Sequence, residues 1–260
     1  MEYRISSTEI DNNYKFFIES TIDWKKKLFL EKEFFEYLFK KNNIKNVLEL
    51  KSGTGNYILS LYGLYELGVG IDSDNFLIEK ASEKSKEKPN VKFINSNFQK
   101  NKANLLKNNL PSKYDAIMYM NNGLSTIINK KNIIEHLKSI YDFTSNEGIA
   151  IFNIFNYNNL LKHTKYEFKN MNFEHLGNKY ILIRNMKIID EDLISYTSDI
   201  YDYSGHIIHE HKELQYPLTK KRIQTFLISA GFKNVEIYGD FNFSDFNVDN
   251  SKKMVVIAHK

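Results

Sequence analysis

Apolar side chains recur at every third or fourth position over residues 9–41, with charged side chains between them. The recurring apolar positions are Phe16, Phe17, Leu28, Phe34, Phe35, Leu38 and Phe39. This spacing matches the turn of an α-helix that buries one face. The pattern predicts a helix over residues 9–41, within a helical N-terminal cap that spans residues 1–44.

From residue 46 onward, short apolar runs alternate with helical patterns. The runs predict strands at residues 46–50, 68–72, 91–95, 114–120 and 148–154. The helical patterns between them lie at residues 56–66, 75–87 and 130–143. Strands that are apolar throughout and alternate with helices are typical of a parallel sheet covered on both faces. The pattern therefore predicts an α/β core over residues 45–160.

The pattern changes after residue 160, where β-branched and aromatic residues dominate. Strand-like segments lie at residues 180–184, 193–197 and 206–209. Gly-containing or acidic turns separate them at residues 177–178, 190–192 and 204–205. We therefore expect a small antiparallel β insertion over residues 161–217. A helix at residues 219–230 that ends at Gly231, followed by strands at 234–238 and 254–259, would complete the core over residues 218–260.

Charge, cysteine content and hydropathy narrow the functional classes. The net charge of +4, from 36 basic and 32 acidic side chains, is too small to indicate a nucleic-acid partner. The absence of cysteine excludes disulfides, thiolate metal sites and cysteine nucleophiles, and no metal site is expected. The first residues lack a signal-peptide pattern, and no apolar run reaches the roughly 20 residues of a membrane helix. We expect a cytoplasmic monomer or homodimer without a membrane partner.

A glycine-containing turn follows the first predicted strand, in the segment VLELKSGTG from Val47 to Gly55. A strand, a Gly-rich turn and a helix form a nucleotide-binding corner, because the backbone approaches the ligand and the helix start supplies N–H donors. Ile58 stands where a dinucleotide fingerprint needs its third glycine. Asn56 and Tyr57 stand where a Walker P-loop needs Lys and Ser or Thr. Both phosphate-binding interpretations are weak, and a nicotinamide enzyme stays an alternative.

The same segment resembles the first motif of class I S-adenosylmethionine-dependent methyltransferases, which usually reads Leu-Glu-Leu-Gly-x-Gly-Thr-Gly. Glu49, Gly53 and Gly55 fall in register with this motif, and Lys51 stands where its first glycine is usual. The resemblance implies a Rossmann-like, seven-stranded, mostly parallel sheet whose last strand is antiparallel. It also implies S-adenosylmethionine as cofactor and S-adenosylhomocysteine as product. We expect the charged side chain of Lys51 to turn away from the cofactor pocket.

Residues after the next two strands extend the resemblance. Asp72 ends the second strand, where the family's acid accepts hydrogen bonds from two ribose hydroxyls, and Ser73 adjoins it. Asn97 follows the third strand, where its amide oxygen can accept a hydrogen bond from the adenine amino group. Phe98 is expected near the adenine. The resemblance thus assigns all four of these residues to the cofactor site.

The resemblance also assigns residues near the methyl group and over the cofactor. Tyr114 and Asp115 resemble the fourth motif of the family, which opens the strand that leads to the methyl group at Met120. Trp24 and Tyr14 lie in the segment that covers the cofactor in related enzymes. Trp24 is expected to contact the cofactor, and Tyr14 to contact the cofactor carboxylate or the methyl acceptor.

Methyl transfer from a sulfonium is an in-line displacement, so the protein mainly aligns the nucleophile and excludes water. A base is needed only for a hydroxyl or a protonated amine. Besides Tyr14, the candidates are His209 and His211, which fall on one face of a predicted strand with Glu210 on the other. The antiparallel insertion resembles the small-molecule branch, such as glycine and amino-sugar N-methyltransferases. It implies transfer to the N or O of a small amine, sugar or surface-glycan precursor.

Two other functions stay open at this point. A nucleic-acid methyltransferase that modifies amino groups usually carries Asn/Asp-Pro-Pro-aromatic at its fourth motif, whereas Met120 is followed here by Asn-Asn-Gly. A methyltransferase acting on nucleic acid or protein is therefore the less favoured alternative. The main alternative is a protein that binds S-adenosylmethionine without transferring its methyl group, since Lys51 and Asn97 depart from the usual motif.

Overall fold

The computed structural model describes residues 21–98, 110–175 and 177–260. Its strands are β1 (Asn46–Leu50), β2 (Leu67–Asp72), β3 (Val91–Asn95), β4 (Tyr114–Tyr119), β5 (Thr144–Phe155), β6 (Lys165–Glu167), β7 (Met171–His175), β8 (Asn178–Ile188), β9 (Ile194–Asp202), β10 (Ile207–His209), β11 (Lys212–Gln215), β12 (Asn234–Tyr238) and β13 (Lys253–His259). Its α-helices are α1 (Trp24–Lys41), α2 (Asn56–Ser60), α3 (Asn75–Lys84), α4 (Lys130–Phe143), α5 (Tyr157–Leu160) and α6 (Lys220–Ala230). A 3₁₀ turn covers Gly123–Thr126.

Seven strands form the central sheet in the order β12-β13-β5-β4-β1-β2-β3. Strands β1 to β5 are parallel, and β13 runs antiparallel to both of its neighbours, β5 and β12. The predicted α/β class and the antiparallel last strand are therefore confirmed. Apolar clusters cover both faces of this sheet, as the continuous apolar strands predicted. No helix among the residues described is long and apolar enough to span a membrane.

The predicted antiparallel insertion is confirmed, with more strands than the sequence indicated. All pairings among β6 to β11 are antiparallel, in the order β10-β9-β8-β6, with β11 also on β9 and β7 also on β8. Turns fall near the predicted positions, and Gly177 and Gly205 adopt positive φ values of 76° and 86° in two of them. Strands β6, β7 and β11 were not predicted, because their sequences contain no run of β-branched or apolar residues.

Two helices differ from the sequence prediction. The helix expected over residues 56–66 ends at Ser60, because the chain turns through Gly63, whose φ is 92°. The helix expected over residues 9–41 does not run through residues 21–23. There the chain turns, and the Asp23 side chain accepts a hydrogen bond from Lys26 N to cap the start of α1. Residues 9–20 of that prediction lie outside the described residues.

Candidate active site

The strand order reverses between β1 and β4, and a cavity of about 180 Å³ lies at the carboxyl ends of β1 and its neighbours. In open α/β sheets, ligands bind in the crevice outside this edge. Asp72, Ser73, Asn97 and Phe98 line the cavity, as the cofactor assignment requires. A larger groove of about 680 Å³ lies beside the start of α4, and none of the predicted site residues lines it.

Backbone amides hold the Asp72 carboxylate in place. Its Oδ2 accepts a hydrogen bond from Gly53 N at 3.0 Å, and its Oδ1 accepts one from Asp74 N at 3.0 Å. The side chain is nearly buried at the floor of the cavity. Each carboxylate oxygen can accept a second hydrogen bond, so the group retains capacity for two further donors. The arrangement fits a carboxylate that receives a pair of vicinal hydroxyls.

Glu49 and Gly55 shape the glycine-containing turn between β1 and α2. Neither residue lines the cavity. Glu49 is 2% exposed, and its Oε2 accepts a hydrogen bond from Ile58 N at 3.3 Å, which satisfies a donor of the first turn of α2. Gly55 has a φ of 75°, and a Cβ at this position would come within 2.2 Å of the Phe93 ring. Both residues therefore determine the path of the turn rather than the surface of the cavity.

Lys51 does not turn away from the cavity, so that expectation is wrong. The side chain lines the cavity, passes Gly123 and donates a hydrogen bond to Thr126 Oγ1. The reason lies in the backbone, since Lys51 has a φ of 52°, the left-handed conformation that glycine adopts without strain. This conformation aims the side chain across the crevice between β1 and β4.

We expect Lys51→Gly to keep or improve the affinity for S-adenosylhomocysteine. The substitution relieves the left-handed strain, about 1 kcal/mol, and opens the crevice. Titration calorimetry on Lys51→Gly and Lys51→Met would check this, because the methionine retains most of the bulk without the charge. A loss of more than about tenfold in both variants, 1.4 kcal/mol or more, would show that the ammonium group itself binds the cofactor.

Two other residues predicted to contact the cofactor, Met120 and Trp24, do not line this cavity. Met120 is 3% exposed and belongs to the apolar cluster on the α1 side of the sheet. Trp24 packs edge-on against Tyr57, with 5.8 Å between ring centroids, at the start of α1. Tyr14 lies outside the described residues.

The insertion brings a row of polar side chains toward the carboxyl end of β4. His209 pairs with Ile200, and Glu213 pairs with Tyr196, in a register that puts His209 and Glu213 on one face of the insertion. His211 lies between β10 and β11, outside both strands, so its placement on the same face stays a prediction. Neither histidine lines the cavity.

Gln215 continues that row and connects it to the core. Its Oε1 accepts hydrogen bonds from Tyr157 Oη at 2.7 Å and from Asn122 Nδ2 at 3.3 Å, and its Nε2 donates to Glu213 Oε1 at 2.9 Å. Asn122 Nδ2 also donates to Tyr157 Oη at 2.7 Å. Burial raises the pKa of Tyr157, and the Glu213 charge adds to this effect. Burial also raises the pKa of Tyr119, which lines the cavity, and the charges of Asp72 and then Glu213 add to the shift.

Two glycine/sarcosine N-methyltransferases are similar to this chain over most of its length. The one from Halorhodospira halochloris is 22% identical over 228 residues, which cover 86% of this chain and 78% of the relative. The one from Aphanothece halophytica is 21% identical over 249 residues, which cover 93% and 86%. No protein-family model matches the sequence.

Solved structures share the whole fold. An S-adenosylmethionine-dependent methyltransferase from Clostridium acetobutylicum ATCC 824 superposes with a TM-score of 0.72 and 16% identity, covering 97% of this chain and 98% of the other. An amino pentose methyltransferase from Micromonospora echinaspora, solved with S-adenosylmethionine bound, gives 0.67 at 10% identity and covers 100% and 99%. The chain therefore has the fold of S-adenosylmethionine-dependent methyltransferases, and its sequence is similar to those of glycine/sarcosine N-methyltransferases. These similarities support the predicted cofactor, S-adenosylmethionine.

The cavity at the carboxyl ends of the strands contains buried polar groups that suit a polar ligand. Ser96 Oγ and both ring nitrogens of His136 are buried and make no hydrogen bond within the part of the chain that the structure describes. Both residues line the cavity, and Ser52 Oγ, also without a partner there, lies in the adjoining turn. Buried polar groups are rarely left unsatisfied. The residues present therefore fit a nucleoside ligand.

Sequence reasoning did not identify Ser96 or His136 as site residues. His136 is a polar residue on the apolar stripe of α4, between the buried Ile133 and Ile140. That interruption was the available signal, although a histidine on an apolar stripe is more often a core residue. Ser96 precedes the assigned Asn97 and has no pattern of its own.

Proposed function

We propose that the chain transfers the methyl group of S-adenosylmethionine to a nitrogen atom of a small polar amine. The observation that carries this proposal is the meeting of Asp72, Asn97 and Phe98 around one cavity at the point where the strand order reverses. A nitrogen acceptor is supported by the similarity to the two relatives, which are N-methyltransferases.

When bound, the cofactor supplies a sulfonium methyl group that is already electrophilic. The residues of this chain then bind the cofactor and the acceptor, orient them and exclude water. The Asp72 carboxylate, fixed by Gly53 N and Asp74 N, would accept the ribose hydroxyls. Asn97 and Phe98 would hold the adenine end. The insertion, joined to the core through Gln215 and Tyr157, would form the acceptor side of the crevice.

Glu213 is the acidic group best placed to attract a cationic amine. It lies on the face of the insertion that leads to Gln215, and its charge acts on Tyr119 at the cavity. A half-buried carboxylate stabilises an ammonium group more strongly than an exposed one, because solvent screens it less. His209 lies farther along the same face, and we retain it and His211 as contacts for the distal part of the acceptor.

Binding and turnover measured together would test this function. Titration calorimetry with S-adenosylhomocysteine is expected to show saturable binding at one site. Incubation with S-adenosylmethionine and separate amines, including glycine, sarcosine and an amino sugar, is expected to release S-adenosylhomocysteine with at least one of them. Binding without turnover on any amine, hydroxyl compound, oligonucleotide or protein would favour the non-catalytic alternative. Thermal stabilisation by NAD(H) but not by S-adenosylhomocysteine would favour a nicotinamide enzyme.

Glu213→Gln is expected to lower kcat/KM for the amine by about tenfold to a hundredfold and to leave S-adenosylhomocysteine affinity unchanged. The substitution keeps the shape and an acceptor for Gln215 but removes the charge, which is worth about 1.5–3 kcal/mol to a hydrogen-bonded cation. Glu174→Gln on β7 is the matched control, since Glu174 is an exposed carboxylate of the same sheet. Unchanged kinetics in Glu213→Gln would remove Glu213 from the acceptor site.

A further inference from the structure

His136 is a buried histidine that the proposed reaction does not yet use. It lies on α4, is 5% exposed, and lines the cavity beside the strand ends. Neither Nδ1 nor Nε2 has a hydrogen-bond partner among the described residues. A buried imidazole normally satisfies at least one nitrogen with a partner. If this position served packing alone, an apolar side chain would suit it better.

Aromatic side chains hold the imidazole at a fixed orientation. The His136 ring meets Phe98 edge-on, with 5.4 Å between centroids and 77° between planes. It also contacts Tyr119, with a centroid distance of 5.4 Å and an angle of 51°. Phe98 directly follows Asn97 at the end of β3, the place assigned to the adenine. The ring therefore packs between Phe98, beside the place assigned to the adenine, and Tyr119 at the end of β4.

We propose that a ring nitrogen of His136 forms a hydrogen bond with the adenine base of the cofactor and contributes to selection of adenine over other bases. This inference rests on the proposed function, because it names a further ligand of the same cofactor. Asn97 and Ser96 line the same cavity from the β3 side, so His136 supplies a contact from the α4 side. The bound base would satisfy a ring nitrogen that has no hydrogen-bond partner among the described residues.

The charge state of His136 suits this role. Burial lowers its pKa to about 4, and the nearby Lys51 charge adds to the shift. The ring is therefore neutral near pH 7 and offers one N–H donor and one acceptor nitrogen. Adenine presents an acceptor ring nitrogen next to a donor amino group. Hypoxanthine presents a ring N–H and a carbonyl on the same edge, so it reverses both requirements.

Titration calorimetry with S-adenosylhomocysteine and S-inosylhomocysteine tests the inference. Wild type is expected to bind the adenosyl compound more tightly by at least about tenfold. His136→Phe keeps an aromatic ring but has no nitrogen, and we expect it to lose about tenfold or more in affinity for the adenosyl compound. His136→Gln, which retains a donor and an acceptor, is expected to recover part of that loss. His163→Phe, at an exposed histidine outside the cavity, is the matched control.

Each outcome decides the inference. Equal binding of S-adenosylhomocysteine by wild type and His136→Phe would overturn it while leaving the proposed function intact. No binding by wild type would overturn the proposed function itself, and this inference with it. If His136→Phe does not fold, ¹⁵N spectra of histidine-labelled wild type replace it. A ligand-induced shift of the His136 ring nitrogens supports the contact, and their invariance at saturation refutes it.

Discussion

Asp72→Ala is expected to weaken S-adenosylhomocysteine binding by about a hundredfold or more. The alanine removes both oxygens that would receive the ribose hydroxyls, and each charge-assisted hydrogen bond is worth about 1.5–3 kcal/mol. Two such bonds amount to at least about 3 kcal/mol, which corresponds to about a hundredfold in affinity. The loss also frees Gly53 N and Asp74 N, which the carboxylate holds at 3.0 Å each. Titration calorimetry is the direct measurement.

Two further variants separate the ligand role of Asp72 from its role in the turn. Asp72→Asn retains one acceptor oxygen without charge, so its affinity is expected to lie between those of wild type and Asp72→Ala. Asp74→Asn is the matched control, because Asp74 caps α3 through Leu77 N and does not line the cavity, and asparagine is an equally good cap. Wild-type affinity in Asp72→Ala would show that the cofactor lies elsewhere.

Gly55→Ala is expected to destabilise the fold by about 2–5 kcal/mol. The left-handed conformation, with a φ of 75°, costs an alanine about 1–2 kcal/mol. The new Cβ would also approach Phe93 Cζ to 2.2 Å, and overpacking of this kind costs about 1–3 kcal/mol. The Phe93 ring also lies over Gly70, where a Cβ would meet it at 2.5 Å, so the ring is packed between two glycines. For a chain of this size, the midpoint temperature should fall by roughly 5–15 °C.

Gly63→Ala provides the control for the conformational part of that loss. Gly63 has a φ of 92°, and nothing lies within 4 Å of a Cβ built there, so only backbone strain of about 1–2 kcal/mol is expected. Thermal or urea unfolding of both variants measures the difference. Equal destabilisation of the two would show that the contact with Phe93 is relieved without cost and that Gly55 is required only for its conformation.

The order of strands and helices along the chain was predictable, because the helices repeat apolar residues every three or four positions and the core strands are continuous apolar runs. The antiparallel last strand followed from the family resemblance, and the structure confirms it. Short elements were the main failures. The β6 and β11 strands are short and mostly polar, so neither shows the β-branched or apolar run that marked the predicted strands. The early end of α2 depends on how the chain turns at Gly63, and a polar pattern does not report that turn.

The sequence by itself determined the α/β core, the glycine turn and the acid of Asp72, since these depend on local spacing and on residue type at strand ends. Only the tertiary structure decided which of the assigned residues meet. It separated Asp72, Asn97 and Phe98, which line the cavity, from Glu49 and Gly55, which support it from beneath. It brought Lys51, His136 and Glu213 toward the crevice from β1, α4 and the insertion. The physical reason is that these contacts join segments far apart in the chain, so no local sequence pattern can predict them.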